Sequence, residues 1–183
     1  MLSNFRRSIL KQLLVVFFLP TLSSYAKLNT YSISEKTFSI DVDKSWQFVE
    51  NLSSSPLVLL GPVKDKKRIV VSVSPTTVKD FKFDEKKIET SVSDYEQGRK
   101  KWLAKNKGQL IRFLPYSHES WKNIKEVHSI GFQYKVLGTT YFERTYFFNC
   151  VDELFNINTL FTEKQYKKSN HIVDSMLHSI DCK

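Results

Sequence analysis

Residues 130–161 read IGFQYKVLGTTYFERTYFFNCVDELFNINTLF, and this stretch decides the fold class. Ile130, Phe132, Tyr134 and Val136 alternate with smaller or polar neighbours, the period-two pattern of a strand. A second run from Tyr141 to Cys150 and a third through Phe155, Ile157, Thr159 and Phe161 follow it. Gly138 and Val151-Asp152 stand at the junctions as hairpin turns, so the three runs are predicted to form an antiparallel meander. The middle run is aromatic on both faces, with Tyr141 and Phe147 on one and Phe142, Tyr146 and Phe148 on the other. That pattern suits a central strand covered from both sides.

Outward from the meander the period changes. Downstream, Thr162-Glu163-Lys164-Gln165 reads as a capping box, and Tyr166, Val173, Met176, Leu177 and Ile180 continue as one stripe of a terminal helix. Upstream, Leu110 to Tyr116 is one more strand. Before it, Ile88, Val92, Tyr95, Trp102 and Leu103 fall on one helical face between Asp84 and Asn106. Acidic residues at the start, basic residues near the end and Gly108 beyond match the two ends of a long amphipathic helix. Gly98, inside it, is expected to mark close packing on the sheet. The N-terminal third is strand-rich, with Phe38, Ile40 and Val42 alternating, an apolar run from Leu57 to Leu60, and Ile69, Val71 and Val73 alternating again. The predicted class is α+β, a mainly antiparallel sheet flanked by a long central helix and a C-terminal helix, in one domain over residues 27–183.

Residues 1–26 stand apart. Arg6, Arg7 and Lys11 precede the apolar run from Leu13 to Leu19, and Ser24-Tyr25-Ala26 places small residues where a signal peptidase cuts. The run is shorter than the roughly 20 apolar residues a membrane span needs, so the expected mature form carries no transmembrane segment. No cysteine follows Ala26, which argues against a lipid anchor. Phe5-Arg6-Arg7-Ser8-Ile9-Leu10-Lys11 also resembles the twin-arginine export motif, and the choice between that route and general secretion stays open. The expected destination is the periplasm or the exterior.

The composition narrows the function classes. With 183 residues, 41% apolar, and only 5 Gly and 5 Pro, the chain is neither disordered nor fibrous. Its 28 Lys+Arg against 19 Asp+Glu give +9, and loss of the leader leaves 25 basic residues against 19 acidic ones. That excess suits an acidic protein or an anionic membrane surface in the envelope and makes no case for nucleic acid. No nucleotide-binding loop, nucleophile elbow, HExxH or CxxC is present, and no cofactor is expected.

The two cysteines carry the sharpest expectation. A strand from Glu153 to Phe161 covers about 30 Å and a helix from Glu163 to Ile180 about 27 Å. If the helix returns antiparallel to the strand, Cys182 ends beside Cys150, in a compartment where thiols oxidise. A Cys150–Cys182 disulfide follows, with a catalytic thiolate at Cys150 as its rival. His118 and His128 are placed to face each other across a hairpin near Asn123, and His171, Asp174 and His178 share a helix face, but neither set has metal-ligand spacing and no metal site is expected. Arg99, Lys100, Lys101, Lys105 and Lys107 around Trp102 form either a solvated helix end or a surface for anionic partners.

Phe38-Ser39-Ile40-Asp41-Val42-Asp43-Lys44-Ser45-Trp46 resembles the opening of proteins with the PsbP-like α/β/α sandwich fold. In that group a strand ends in an aromatic-proline pair shortly before a Trp; here Val42-Asp43 takes the place of the pair. The later order of long helix, meander and closing helix is also similar. The resemblance implies a binding or assembly protein without catalysis, and many bacterial members are envelope proteins. Two readings follow from it and from the residues: a binding or assembly factor of the envelope, or a carrier holding a small apolar ligand between sheet and helix, in a cavity lined by residues such as Trp102, Tyr134 and Phe148. An unrecognised enzyme is the third.

Overall fold

Strand alternation and two amphipathic stripes account for the architecture of the computed structural model, which describes residues 27–33, 35–79 and 81–183. The predicted leader, with Arg6, Arg7, Lys11 and the expected exit at Ala26, lies outside the described residues. In chain order the elements are β1 (Lys27–Ile33), β2 (Lys36–Val42), β3 (Gln47–Leu52), β4 (Ser55–Leu60), β5 (Val70–Lys79), α1 (Glu85–Lys105), β6 (Gln109–Trp121), β7 (Ile124–Val136), β8 (Thr139–Cys150), β9 (Glu153–Thr162), α2 (Glu163–His178) and β10 (Asp181–Cys182). Among the described residues no helix is long and apolar enough to cross a membrane.

The main sheet has 7 strands in the order β3-β4-β5-β9-β8-β7-β6, and every neighbouring pair is antiparallel. The meander is its continuous half, with β8 between β7 and β9 as its two-sided aromatic pattern requires. A second sheet of 3 strands, β1-β2-β10, was not foreseen as a separate layer. Its inner face carries Phe38, which packs edge-on against Phe155 at 4.8 Å and Phe148 at 6.3 Å. Helix α2 covers the same side of the main sheet, where Tyr166 stacks on Phe142 at 4.2 Å. Together these elements enclose the larger core cluster, from Phe38 and Val71 through Phe148 to Leu177. Helix α1 lies on the opposite side and buries Leu103 against Phe132 and Tyr134 in a smaller cluster.

Both helices end on side chains that supply their missing partners. Asp84 caps α1 by accepting from the Lys87 amide at 2.9 Å, and Thr162 with Gln165 closes the capping box of α2. At the far end of α1 the Gly108 and Lys107 amides donate back to Leu103 and Ala104. This is a Schellman turn in which Lys107, at φ 52, occupies the left-handed position. Gly108 is needed for a different reason: a Cβ there would strike Leu103 and Val136. The expectation for Gly98 is overturned, because a Cβ at that position meets nothing within 4 Å. Close approach occurs instead at Gly131 in β7, where a Cβ would run into the carbonyl oxygen of Glu143 on β8.

The antiparallel return of α2 along β9 brings the chain end to the tip of β8, and Cys150 and Cys182 form a disulfide with Cα atoms 5.9 Å apart. The last residues are also knitted into the small sheet: Cys182 pairs with Phe38, and Thr37 and Lys183 exchange backbone hydrogen bonds of 2.8 and 3.0 Å.

Candidate functional site

The cavity expected from Trp102, Tyr134 and Phe148 does not form, and strand parity explains why. Tyr134 stands opposite Tyr141 in the β7–β8 register and shares its face. Phe148 is an odd number of residues from Tyr141 and so points through to the other side, fully buried between Phe38, Phe155 and Trp121. Trp102 sits at the rim of the smaller cluster, 38% exposed and edge-on to Tyr134 at 5.6 Å. The basic run is divided as well. Arg99 turns inward, pairing with Glu143 at 2.8 Å and lying over the rings of Tyr95 and Phe132 at 5.0 and 5.2 Å. Burial raises the Glu143 carboxyl above the usual range while the Arg99 charge pulls it back down. Lys100 lies over Phe113 at 5.4 Å, and Lys101, Lys105 and Lys107 are exposed to solvent. His178 lies beside Glu119 at 3.3 Å. Among the described residues no group of three or more His, Cys, Asp or Glu is placed to hold a metal ion.

A cleft does open between sheet and helix, under the N-terminal half of α1. Ile88, Val92 and Tyr95 form its roof, and Ile130, Phe147 and Leu154 form part of its floor. Phe81 and Phe83, just before the helix, close one side. The narrower part has a volume of about 220 Å³ and is almost wholly apolar. It shares Phe83, Ile88, Val92, Tyr116 and His128 with a wider mouth of about 710 Å³, where Glu89, Ser93, Glu96, His118 and Glu126 are added.

The polar groups of the mouth are set by the β6–β7 hairpin. His118 and His128 are register partners, and their rings stack at 4.6 Å with an interplanar angle of 10°. Phe83 covers the other face of His128 at 3.9 Å. The Tyr116 hydroxyl and His128 Nδ1 share a hydrogen bond, and the buried Nε2 has no partner among the described residues. Burial, and then the like charge of His118, hold His128 below the ordinary histidine range, so the ring is neutral at neutral pH. Tyr116 reaches the mouth because of an irregularity between Leu114 and Ser117. Leu114 packs into the larger core on the far side of the sheet, yet Tyr116, two residues on, faces α1. The segment before α1 is held down by Asn149, whose Nδ2 donates to the Phe81 carbonyl at 2.7 Å.

The facing of His118 and His128 was legible across the hairpin, and Ile88, Val92 and Tyr95 were legible as an inward stripe. Phe81 and Phe83 were missed. Their signal was a hydrophobic staple, since Phe83 directly precedes the Asp84 cap and Ile88 occupies the fourth helical position.

No family model matches the chain, and no curated protein matches it by sequence. Solved structures do match by shape. The solution structure of cyanobacterial PsbP (CyanoP) from Synechocystis sp. PCC 6803 superposes with a TM-score of 0.56 at 12% identity, over 86% of this chain and 94% of that one. The crystal structure of LpqN, involved in cell envelope biogenesis of Mycobacterium tuberculosis, gives a TM-score of 0.56 at 9% identity, over 86% and 91%. At these identities the likeness is one of fold, and the fold is PsbP-like α+β.

Proposed function

We propose that this chain is an exported, non-catalytic binding protein of the bacterial cell envelope that holds a small, largely apolar ligand between α1 and strands β6 to β9. The observation that carries this reading is the cleft: an apolar hollow of about 220 Å³ opening onto a mouth lined by His118, His128, Tyr116 and Glu126. Export is supported by the leader-like residues 1–26 and by the Cys150–Cys182 bridge, which belongs in an oxidising compartment. The fold is shared with LpqN, whose role lies in envelope biogenesis. The buried imidazole is engaged by a tyrosine hydroxyl and two flanking rings, an arrangement suited to holding a molecule and not to activating a nucleophile.

The test is fluorescence titration of the purified protein with N-phenyl-1-naphthylamine, a neutral apolar probe. Saturable binding is expected, and Val92→Trp, which fills the roof of the hollow, is expected to weaken it at least tenfold, about 1.4 kcal/mol. Retained affinity in a Val92→Trp protein that still melts cooperatively would place binding elsewhere.

The exposed Lys100, Lys101, Lys105 and Lys107 favour a second reading, docking of the end of α1 on an envelope protein or anionic membrane surface. Arg99 takes no part in it, being committed to Glu143. Salt-sensitive cosedimentation with anionic vesicles, lost on charge reversal of Lys100 and Lys101, is the expected signature.

A further inference from the structure

Resting on the cleft as the ligand site, we infer that its occupant is a cationic amphiphile, an alkyl or aryl amine whose tail fills the hollow and whose positive head sits among Glu89, Glu96 and Glu126. The charge of the mouth runs against that of the whole chain. Although the sequence has 28 Lys+Arg against 19 Asp+Glu, no Lys or Arg lines the hollow or its mouth among the described residues. Elsewhere carboxylates find cations, as Glu143 finds Arg99 and Glu163 finds Lys167. Among the described residues Glu89, Glu96 and Glu126 carry no ion pair.

A second, independent feature lies at the same place. His128 is 6% exposed, lines both hollow and mouth, and leaves its Nε2 without a partner. A buried polar atom in that condition costs stability until something meets it. The ring supplies no positive charge to the three carboxylates, because burial keeps it neutral. Phe83 and Tyr116 line the same opening, and an aromatic lining favours a cation over an anion. A carboxylate or sulfate head would enter a mouth lined by three like charges; an ammonium head enters one lined by three opposite charges.

Competition separates this inference from the reading beneath it. N-phenyl-1-naphthylamine bound to the protein is displaced at low ionic strength by octylammonium or by nonanoate, which carry the same octyl tail under opposite charges. The cation is expected to displace the probe at a concentration at least tenfold lower. In the Glu89→Gln/Glu96→Gln/Glu126→Gln chain that ratio is expected to fall to near one, with cooperative melting verifying the fold. Equal displacement by the two amphiphiles, a preference for the anion, or an unchanged ratio in the triple variant would each overturn the cationic ligand while leaving the cleft in place. Failure of the neutral probe to bind at all would remove the cleft reading and this inference together.

Discussion

At φ 47 and 96% exposed, Leu137 holds the first position of the two-residue β7–β8 turn while its apolar side chain packs on nothing. Gly138 follows at φ 76, so both residues are left-handed, the geometry for which Asn-Gly is best suited. Leu137→Asn is therefore expected to stabilise by about 1 kcal/mol, seen as a rise of about 2–4 °C in melting temperature. The turn itself was legible from Gly138, but a leucine beside it disguised the positive φ. His128 gives a prediction of opposite character. In the unfolded chain its imidazole protonates near 6.5, while burial and His118 hold the folded value lower, with Glu126 opposing them weakly. As pH falls from about 6.5 the unfolded state takes up a proton that the folded state refuses, so stability declines through that window and down to the folded value. Urea midpoints measured between about pH 7 and pH 5 are expected to fall, and to fall less steeply in His128→Phe.

Among the elements, α1 shows best what a sequence discloses and what it withholds. Its caps were legible because Asp84 and the Asn106-Lys107-Gly108 exit are local chemistry. Its apolar stripe was legible as a period, but the stripe does not say which stretch of the sheet lies under it. Trp102 consequently lands at a rim and Val92 over a hollow. Arg99 was read as a surface charge, since nothing local to it announces Glu143, brought there by β8. Gly98 looked like a packing device and faces open space, so only its helix-weakening entropy remains. Gly98→Ala is thus expected to stabilise by about 1 kcal/mol, measurable by denaturant unfolding. In β6 the break in alternation before Tyr116 was invisible to a period-two reading, which is why the mouth could not be assembled from sequence.

For the molecule as a whole, the order of strands, long helix, meander and terminal helix followed from periodicity, and the similar lengths expected of the last strand and the terminal helix placed Cys182 at Cys150. The separate β1-β2-β10 layer escaped because its strands carry the same alternation as those of the main sheet and their pairing is nonlocal. The bridge spans a sequence separation of 32 and ties this layer to β8. Reduction is expected to lower stability by about 3–4 kcal/mol, read as a drop in denaturation midpoint between oxidised and reduced protein. The larger core, closed on its side by α2 and the small sheet, holds the molecule together, and the thinner cover of α1 leaves room on the other. That asymmetry places the proposed ligand site on the α1 side of the sheet. Backbone amide chemical shifts of the isotopically labelled protein, recorded during titration with N-phenyl-1-naphthylamine, test it most directly. The predicted result is a saturable set of changes confined to Phe83, Ile88, Val92, Tyr116, His128 and their neighbours. Changes centred on α2 and the small sheet, or none at saturating probe, would contradict binding in the cleft under α1.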